Sequence, residues 1–141
     1  MKILLVRHAS AGDRDEWQGE DRLRPLDERG WRQAAGLVDL LRPFAPTGIF
    51  SSPSLRCRQT VEPLAEALSL PVQECNELEE GSSGDEVVRL ATGISDEPAV
   101  FCTHGDVVEE LVGRESKKGS AWLVRVEGGV VEPVEYVPAA G

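Results

Sequence analysis

The chain is poor in the residues that build metal sites and disulfide frameworks, with two histidines and three cysteines among 141 residues. Cys57, Cys75 and Cys102 are odd in number and show no paired metal-ligand spacing. Neither a disulfide scaffold nor a zinc site is indicated, and all three are expected to be reduced, Cys102 as a small core residue. Basic charge is also scarce. Lys and Arg number 15 against 25 Asp and Glu, a net charge of −10, which disfavours a nucleic-acid polymer or an anionic membrane as partner, since both need a basic surface. Any anionic ligand must find a local positive pocket. No apolar run approaches the roughly 20 residues that span a bilayer, and Arg7 interrupts the opening run too early for a signal peptide. A cytoplasmic location is therefore expected. Internal repeats, low-complexity tracts and linkers are absent, and residues 1–141 fit one domain large enough for a real core. The acidic group Asp13, Asp15, Glu16, Glu20 and Asp21 lacks the spacing of a metal-binding loop.

What is present is concentrated at two places. The apolar run Leu4-Leu5-Val6 stops on Arg7-His8, and Ala99-Val100-Phe101-Cys102-Thr103 stops on His104-Gly105. Both imidazoles thus stand where a buried strand gives way to a loop. Between them the pattern predicts a long polar loop from about Ser10 to Leu26, then a helix N-capped by Asp27 and running to about Leu41. Gly48 to Ser51 reads as a short strand. A second helix starts at Ser52-Pro53-Ser54 and carries Arg56, Thr60, Leu64 and Leu68, with Pro63 expected to bend it. Pro71 to Glu74 reads as a brief strand, Gly84 to Thr92 as a helix, and Asp106 to Val112 as another. Ala121 to Val126 and Val130 to Val137 form a closing hairpin across Gly128-Gly129.

Strands alternating with helices predict an α/β fold in three layers, helix–sheet–helix, on a mostly parallel sheet closed by the C-terminal hairpin. Ligands of such sheets bind beyond the carboxyl ends of the strands. Arg7-His8, Ser51-Ser52 and His104-Gly105 all fall there. A lone histidine after a strand is commonly structural, but two such sites, one preceded by arginine, weaken that reading. Arg56 sits near a helix start, where backbone N–H groups and the dipole favour an anion.

These residues resemble the histidine phosphatase superfamily, also called phosphoglycerate mutase-like. The motifs are Val6-Arg7-His8-Ala9; Arg24-Pro25-Leu26 with Gly30 and Gln33-Ala34; Ser51-Ser52-Pro53-Ser54-Leu55-Arg56 with Gln59-Thr60; and Thr103-His104-Gly105. The short chain resembles the small SixA-type branch without a cap domain. Its wording around Arg7-His8, Asp27-Glu28-Arg29-Gly30 and His104-Gly105-Asp106 also resembles the phosphatase domain following a Nudix domain in some actinobacterial proteins, although this chain carries no Nudix signature.

The resemblance implies a metal- and cofactor-free phosphatase in which neutral His8 attacks phosphorus and carries the phosphoryl group until water removes it. It gives Arg7, Arg56 and His104 the role of donors to the phosphoryl oxygens, and adds Ser10 and Gly105 as substrate-binding residues. Glu77 is the candidate acid for the leaving group, with Glu79 and Glu80 as rivals and a plain solvated acidic loop as the alternative. Ala9 stands where the family usually has glycine, which predicts altered loop packing. Lys117-Lys118 can extend the positive rim towards a second phosphate or simply be solvated, and Trp17 and Trp31 can pack the long loop onto the first helix, with stacking on a substrate base or ring as the alternative for Trp17. A phosphorylated protein, a phosphohistidine or a small phosphorylated molecule such as a nucleotide is the implied partner. A module that holds phosphate without turnover is the alternative from another class.

Overall fold

The computed structural model describes residues 1–141. In chain order the elements are β1 (Lys2–Arg7), α1 (Glu28–Leu41), β2 (Gly48–Ser51), α2 (Leu55–Leu68), β3 (Val72–Glu74), α3 (Gly84–Thr92), β4 (Ala99–Thr103), α4 (Gly105–Val112), β5 (Ala121–Glu127) and β6 (Val130–Val137). Short 3-10 turns lie at Asp21–Leu23, Arg42–Phe44 and Asn76–Leu78. The six strands form one sheet in the order β3-β2-β4-β1-β5-β6. β1, β2, β3 and β4 run parallel, β5 is antiparallel to β1, and β6 is antiparallel to β5.

Alternation along β1 divides the core. Leu4 and Val6 face a cluster with Leu37 and Leu41 of α1 and Val61 and Leu64 of α2. Ile3 and Leu5 face the opposite cluster, with Val87 of α3 and Val107 and Val108 of α4. A strand covered on both sides must read as a continuous apolar run, and all five residues of β4 are buried. The expected three layers follow, with α1 and α2 on one side and α3 and α4 on the other.

Local chemistry sets the element ends. The Asp27 carboxylate accepts from Gly30 N at 2.7 Å, capping α1. Ser83 and Glu86 form a reciprocal capping box at the start of α3. α2 runs on through Pro63 to Leu68, so the proline is accommodated inside the helix. Trp17 departs from expectation: its indole N–H donates to the carbonyl of Glu20 in its own loop, and the side chain is 37% exposed.

The strand order also places the site. β4 lies between β2 and β1, and its register with β1 ends at Arg7↔Thr103. The next residue on each strand is a histidine, so two positions 96 apart in sequence become neighbours at the carboxyl edge of the sheet.

Candidate active site

His8 donates its backbone N–H to the Thr103 carbonyl at 3.0 Å, extending the pairing of β1 and β4 by one residue. Its ring lies 5.4 Å, centroid to centroid, from that of His104, nearly edge to face at 69°. His8 Nδ1 is 2.8 Å from the carbonyl oxygen of Ala9. A carbonyl only accepts, so Nδ1 carries the proton and Nε2 keeps its lone pair. Burial pushes the His8 pKa down to about 3. The Ala9 hydrogen bond opposes this, while the neighbouring His104 and the charges of Arg56 and Arg7 add to it. The ring is neutral at pH 7.

Ala9 supports this arrangement at three points. Its carbonyl orients His8, its N–H donates to Thr60 Oγ1 at 2.9 Å, and its methyl packs with Ala11, Leu26 and Ala34. Its φ is not left-handed, so the position does not require glycine. Glycine is required at Gly30, where an added Cβ would overlap the Ser10 carbonyl oxygen. This close approach, with the Asp27 carboxylate accepting from Ser10 Oγ at 2.7 Å and Gly12 N at 2.9 Å, fixes the loop after His8 onto α1. Burial would raise the Asp27 carboxyl, but these bonds and that from Gly30 hold it below the usual range.

His104 directly follows β4 and is the N-cap residue of α4, with 1% of its surface exposed. Ser52, one residue past the end of β2, donates its backbone N–H to the Cys102 carbonyl at 2.9 Å and stands beside the ring. His104 Nε2 is 2.9 Å from Ser52 Oγ and 3.6 Å from Cys57 Sγ. Its Nδ1 faces Arg56 Nη2 at 3.4 Å. A guanidinium only donates, so in this arrangement Nδ1 accepts and Nε2–H donates to Ser52.

Arg56 is 1% exposed, and its guanidinium is partly occupied by carboxylates. Nη2 lies 3.0 Å from Asp21 Oδ2 and 3.6 Å from Glu80 Oε1, and Nη1 donates to the Asp21 carbonyl at 2.8 Å. Arg14 joins both acids, at 2.7 Å from Glu80 and 3.4 Å from Asp21, and Arg24 lies 3.1 Å from Asp21. Burial would raise the Asp21 carboxyl, but the Arg24 hydrogen bond and the charges of Arg56 and Arg14 hold it below its usual range. Arg7 donates to the Ser116 carbonyl and passes so close to Gly105 that a Cβ there would lie 2.8 Å from Arg7 Cζ. The buried Nε atoms of Arg7 and Arg56 have no partner. A buried donor left unpaired is costly, and an anion at the site would satisfy it.

A cavity of about 360 Å³ opens over the histidines. Arg7, His8, His104 and Gly105 line it, together with Arg14, Arg24, Lys118 and Glu80. Arg56 lies behind this lining. Ser10 faces a neighbouring basin instead, its hydroxyl donated to Asp27. Glu77 is half-buried in the 76–78 turn and does not line the cavity, whereas its rival Glu80 does. Thr103 Oγ1 donating to the Leu78 carbonyl and Asp106 accepting from Gly81 N hold that turn against the residues flanking His104.

The site therefore has a buried neutral imidazole with a free Nε2 at a strand switch point, beneath a rim where Arg7, Arg14, Arg24 and Lys118 meet the carboxylates Glu80, Asp106, Glu109 and Glu115. The sequence profile of the histidine phosphatase superfamily (branch 1) matches residues 3–87.

The chain belongs to the histidine phosphatase superfamily, branch 1.

Its fold is α/β, with a six-stranded sheet and no added cap domain. The profile stops before His104, so the pairing of the two histidines rests on the β1–β4 register. An 8-oxo-(d)GTP phosphatase of Mycolicibacterium smegmatis is 32% identical over 154 residues, covering 96% of this chain. The chain spans about half of that protein's length, 47%. In structure, the protein histidine phosphatase SixA complexed with tungstate matches with a TM-score of 0.78 at 21% identity, covering 98% of this chain and 97% of its own. The alpha-ribazole phosphatase of Shigella flexneri matches at 0.75 and 15%, covering 97% and 96%. At these identities the two structures share the fold.

Of the residues singled out in the sequence, the structure brings together His8, His104, Arg7 and Arg56. Arg14, Arg24, Asp21 and Ser52 stand there too, without having been singled out for the phosphate site from the sequence. Arg24 had a signal, as part of the Arg24-Pro25-Leu26 motif. Arg14 and Asp21 lie in the 10–26 loop, whose course no local periodicity reveals.

Proposed function

We propose that this phosphatase works through a phosphohistidine at His8, without a metal or organic cofactor. The observation that carries the reading is the Nδ1–Ala9 hydrogen bond in a buried ring with a pKa near 3, which presents an unprotonated Nε2 to the cavity. His8 Nε2 attacks phosphorus as the bond to the leaving group breaks. Water then attacks the phosphoryl group, the N–P bond breaks, and inorganic phosphate leaves with the lone pair restored on Nε2.

Arg7, Arg56 and His104 serve as donors to the phosphoryl oxygens, with the Gly105 backbone at the start of α4. The unpartnered Nε atoms of both arginines support this assignment. Arg56 comes into play as the incoming oxygens compete with Asp21 and Glu80. Glu77 is retained as the acid for poor leaving groups, with Glu80 as the carboxylate already at the cavity and Glu79 as the third option. Ser10 acts at the far side of Arg7, on the remainder of the substrate.

Substrates are a phosphorylated small molecule or a phosphohistidine on a protein. Nucleotides come first, because the relative named as an 8-oxo-(d)GTP phosphatase is alignable over 96% of this chain. The test is rapid acid-free quenching of enzyme with labelled substrate. Wild type should yield a base-stable, acid-labile phosphoenzyme, and His8→Ala none, with turnover insensitive to a chelator. Equal hydrolysis of an activated aryl phosphate by His8→Ala would overturn the mechanism. Glu77→Gln and Glu80→Gln, compared on alkyl and aryl phosphates, identify the acid: the variant that loses only the alkyl reaction carries it.

A further inference from the structure

Beside the catalytic cavity lies a second basin of about 1000 Å³, and the two share Arg7, Glu115 and Lys118. Arg29 and Lys117 belong to the second basin alone. Four cations thus line it beside the Glu115 carboxylate and the C-terminal residues Pro138, Ala139 and Gly141, in a chain of net charge −10. The basin is built by long-range pairing. Arg7 N donates to the Ser120 carbonyl and Gly119 N to the Arg7 carbonyl, which draws the 116–120 segment, and with it both lysines, against the end of β1. Its floor holds Gln33, 3% exposed, whose amide oxygen accepts from Ser10 N at 2.9 Å. That bond fixes the amide orientation, and the NH2 group has no acceptor in the protein. Arg7 Nε, buried at the boundary of the two cavities, also lacks a partner.

We infer that this basin is a second anion subsite, and that the small-molecule substrate is a diphosphate. Its terminal phosphoryl group stands over His8. Its second phosphate lies past Arg7 and Lys118, among Arg29, Lys117 and the Gln33 amide. The inference rests on the His8 mechanism. In the transfer step the His8 Nε2–P bond forms as the P–O bond to the bridging oxygen breaks, and the electron pair leaves on the second phosphate. Water later cleaves the N–P bond, so a diphosphate and water give a monophosphate and inorganic phosphate. Cations around the second phosphate stabilise the charge that develops on it, so departure depends less on a carboxylic acid.

Methylenediphosphonate and methylphosphonate, neither hydrolysable, are compared as competitive inhibitors of p-nitrophenyl phosphate hydrolysis at low salt. The proteins are wild type and the surface double variant Arg29→Ala/Lys117→Ala. Wild type should bind the diphosphonate at least about tenfold more tightly, and the double variant should retain less than about a threefold preference. Its kcat and KM for p-nitrophenyl phosphate should stay within about twofold, showing that it is folded and that catalysis is intact. An inhibitor ratio near one in wild type, or an unchanged ratio in the variant, overturns the subsite. So does a nucleoside diphosphate consumed no better than its monophosphate. Failure of the underlying mechanism reads differently: His8→Ala would still hydrolyse p-nitrophenyl phosphate.

Discussion

Keeping His8 neutral carries a stability cost in acid that can be measured directly. In the unfolded chain the imidazole titrates at its ordinary value of 6.5, while in the folded protein burial holds it at about 3. Between these values the unfolded state binds the extra proton, so stability falls as pH falls through that window. At pH 5 the unfolded imidazole is almost fully protonated and the folded one is not. The linkage amounts to 1.36 kcal/mol for each pH unit below 6.5, about 2 kcal/mol lost between pH 7 and pH 5. Any folded-state value below about 4 gives the same figure at pH 5. His8→Gln removes the titrating group and should remove this share of the acid sensitivity. Urea denaturation of wild type and His8→Gln at pH 7, 6 and 5 tests it. The two stabilities should differ by about 2 kcal/mol more at pH 7 than at pH 5, with the variant's curve the flatter. Parallel pH curves would mean that His8 titrates in the folded protein as it does in the unfolded chain, and would refute the burial-depressed pKa on which the neutral-nucleophile reading rests.

Gly30→Ala places a methyl group onto the Ser10 carbonyl, so α1 and the loop after His8 must separate. A loss of about 1–3 kcal/mol is expected in chemical denaturation, together with a lower kcat as Ala9 and His8 shift. Ser52→Ala removes the 2.9 Å acceptor of His104 Nε2–H inside a buried site and leaves it only the weak acceptor Cys57 Sγ at 3.6 Å. It should lower kcat/KM about tenfold or more while costing about 1–3 kcal/mol of stability, and Ser52→Thr should restore part of the activity.

Much of this architecture was legible in local pattern. Continuous apolar runs marked β1 and β4 because strands buried on both faces have no polar alternation. Asp27 and the spacing of Ala34, Leu37 and Leu41 marked α1 because capping and helical periodicity act within a few residues. Abrupt polar stops after those runs identified His8 and His104. The acid was less legible, because Glu77, Glu79 and Glu80 are adjacent in sequence and only the course of the 76–81 turn decides which faces the cavity. Trp17 likewise found its partner in its own loop, a choice that its residue type does not dictate.

The sequence by itself thus determined the layer order of strands and helices, the two histidines at strand ends and the acidic surface around them. All of these arise from residue type and short-range spacing. Tertiary structure decided the rest. Inserting β4 beside β1 joined His8 to His104, and the loop path brought Arg14, Arg24 and Asp21 onto Arg56. Pairing of the 116–120 segment with the end of β1 carried Lys117 and Lys118 to a basin beside Arg7. These contacts join residues far apart in the chain, and their geometry exists only once the sheet has assembled.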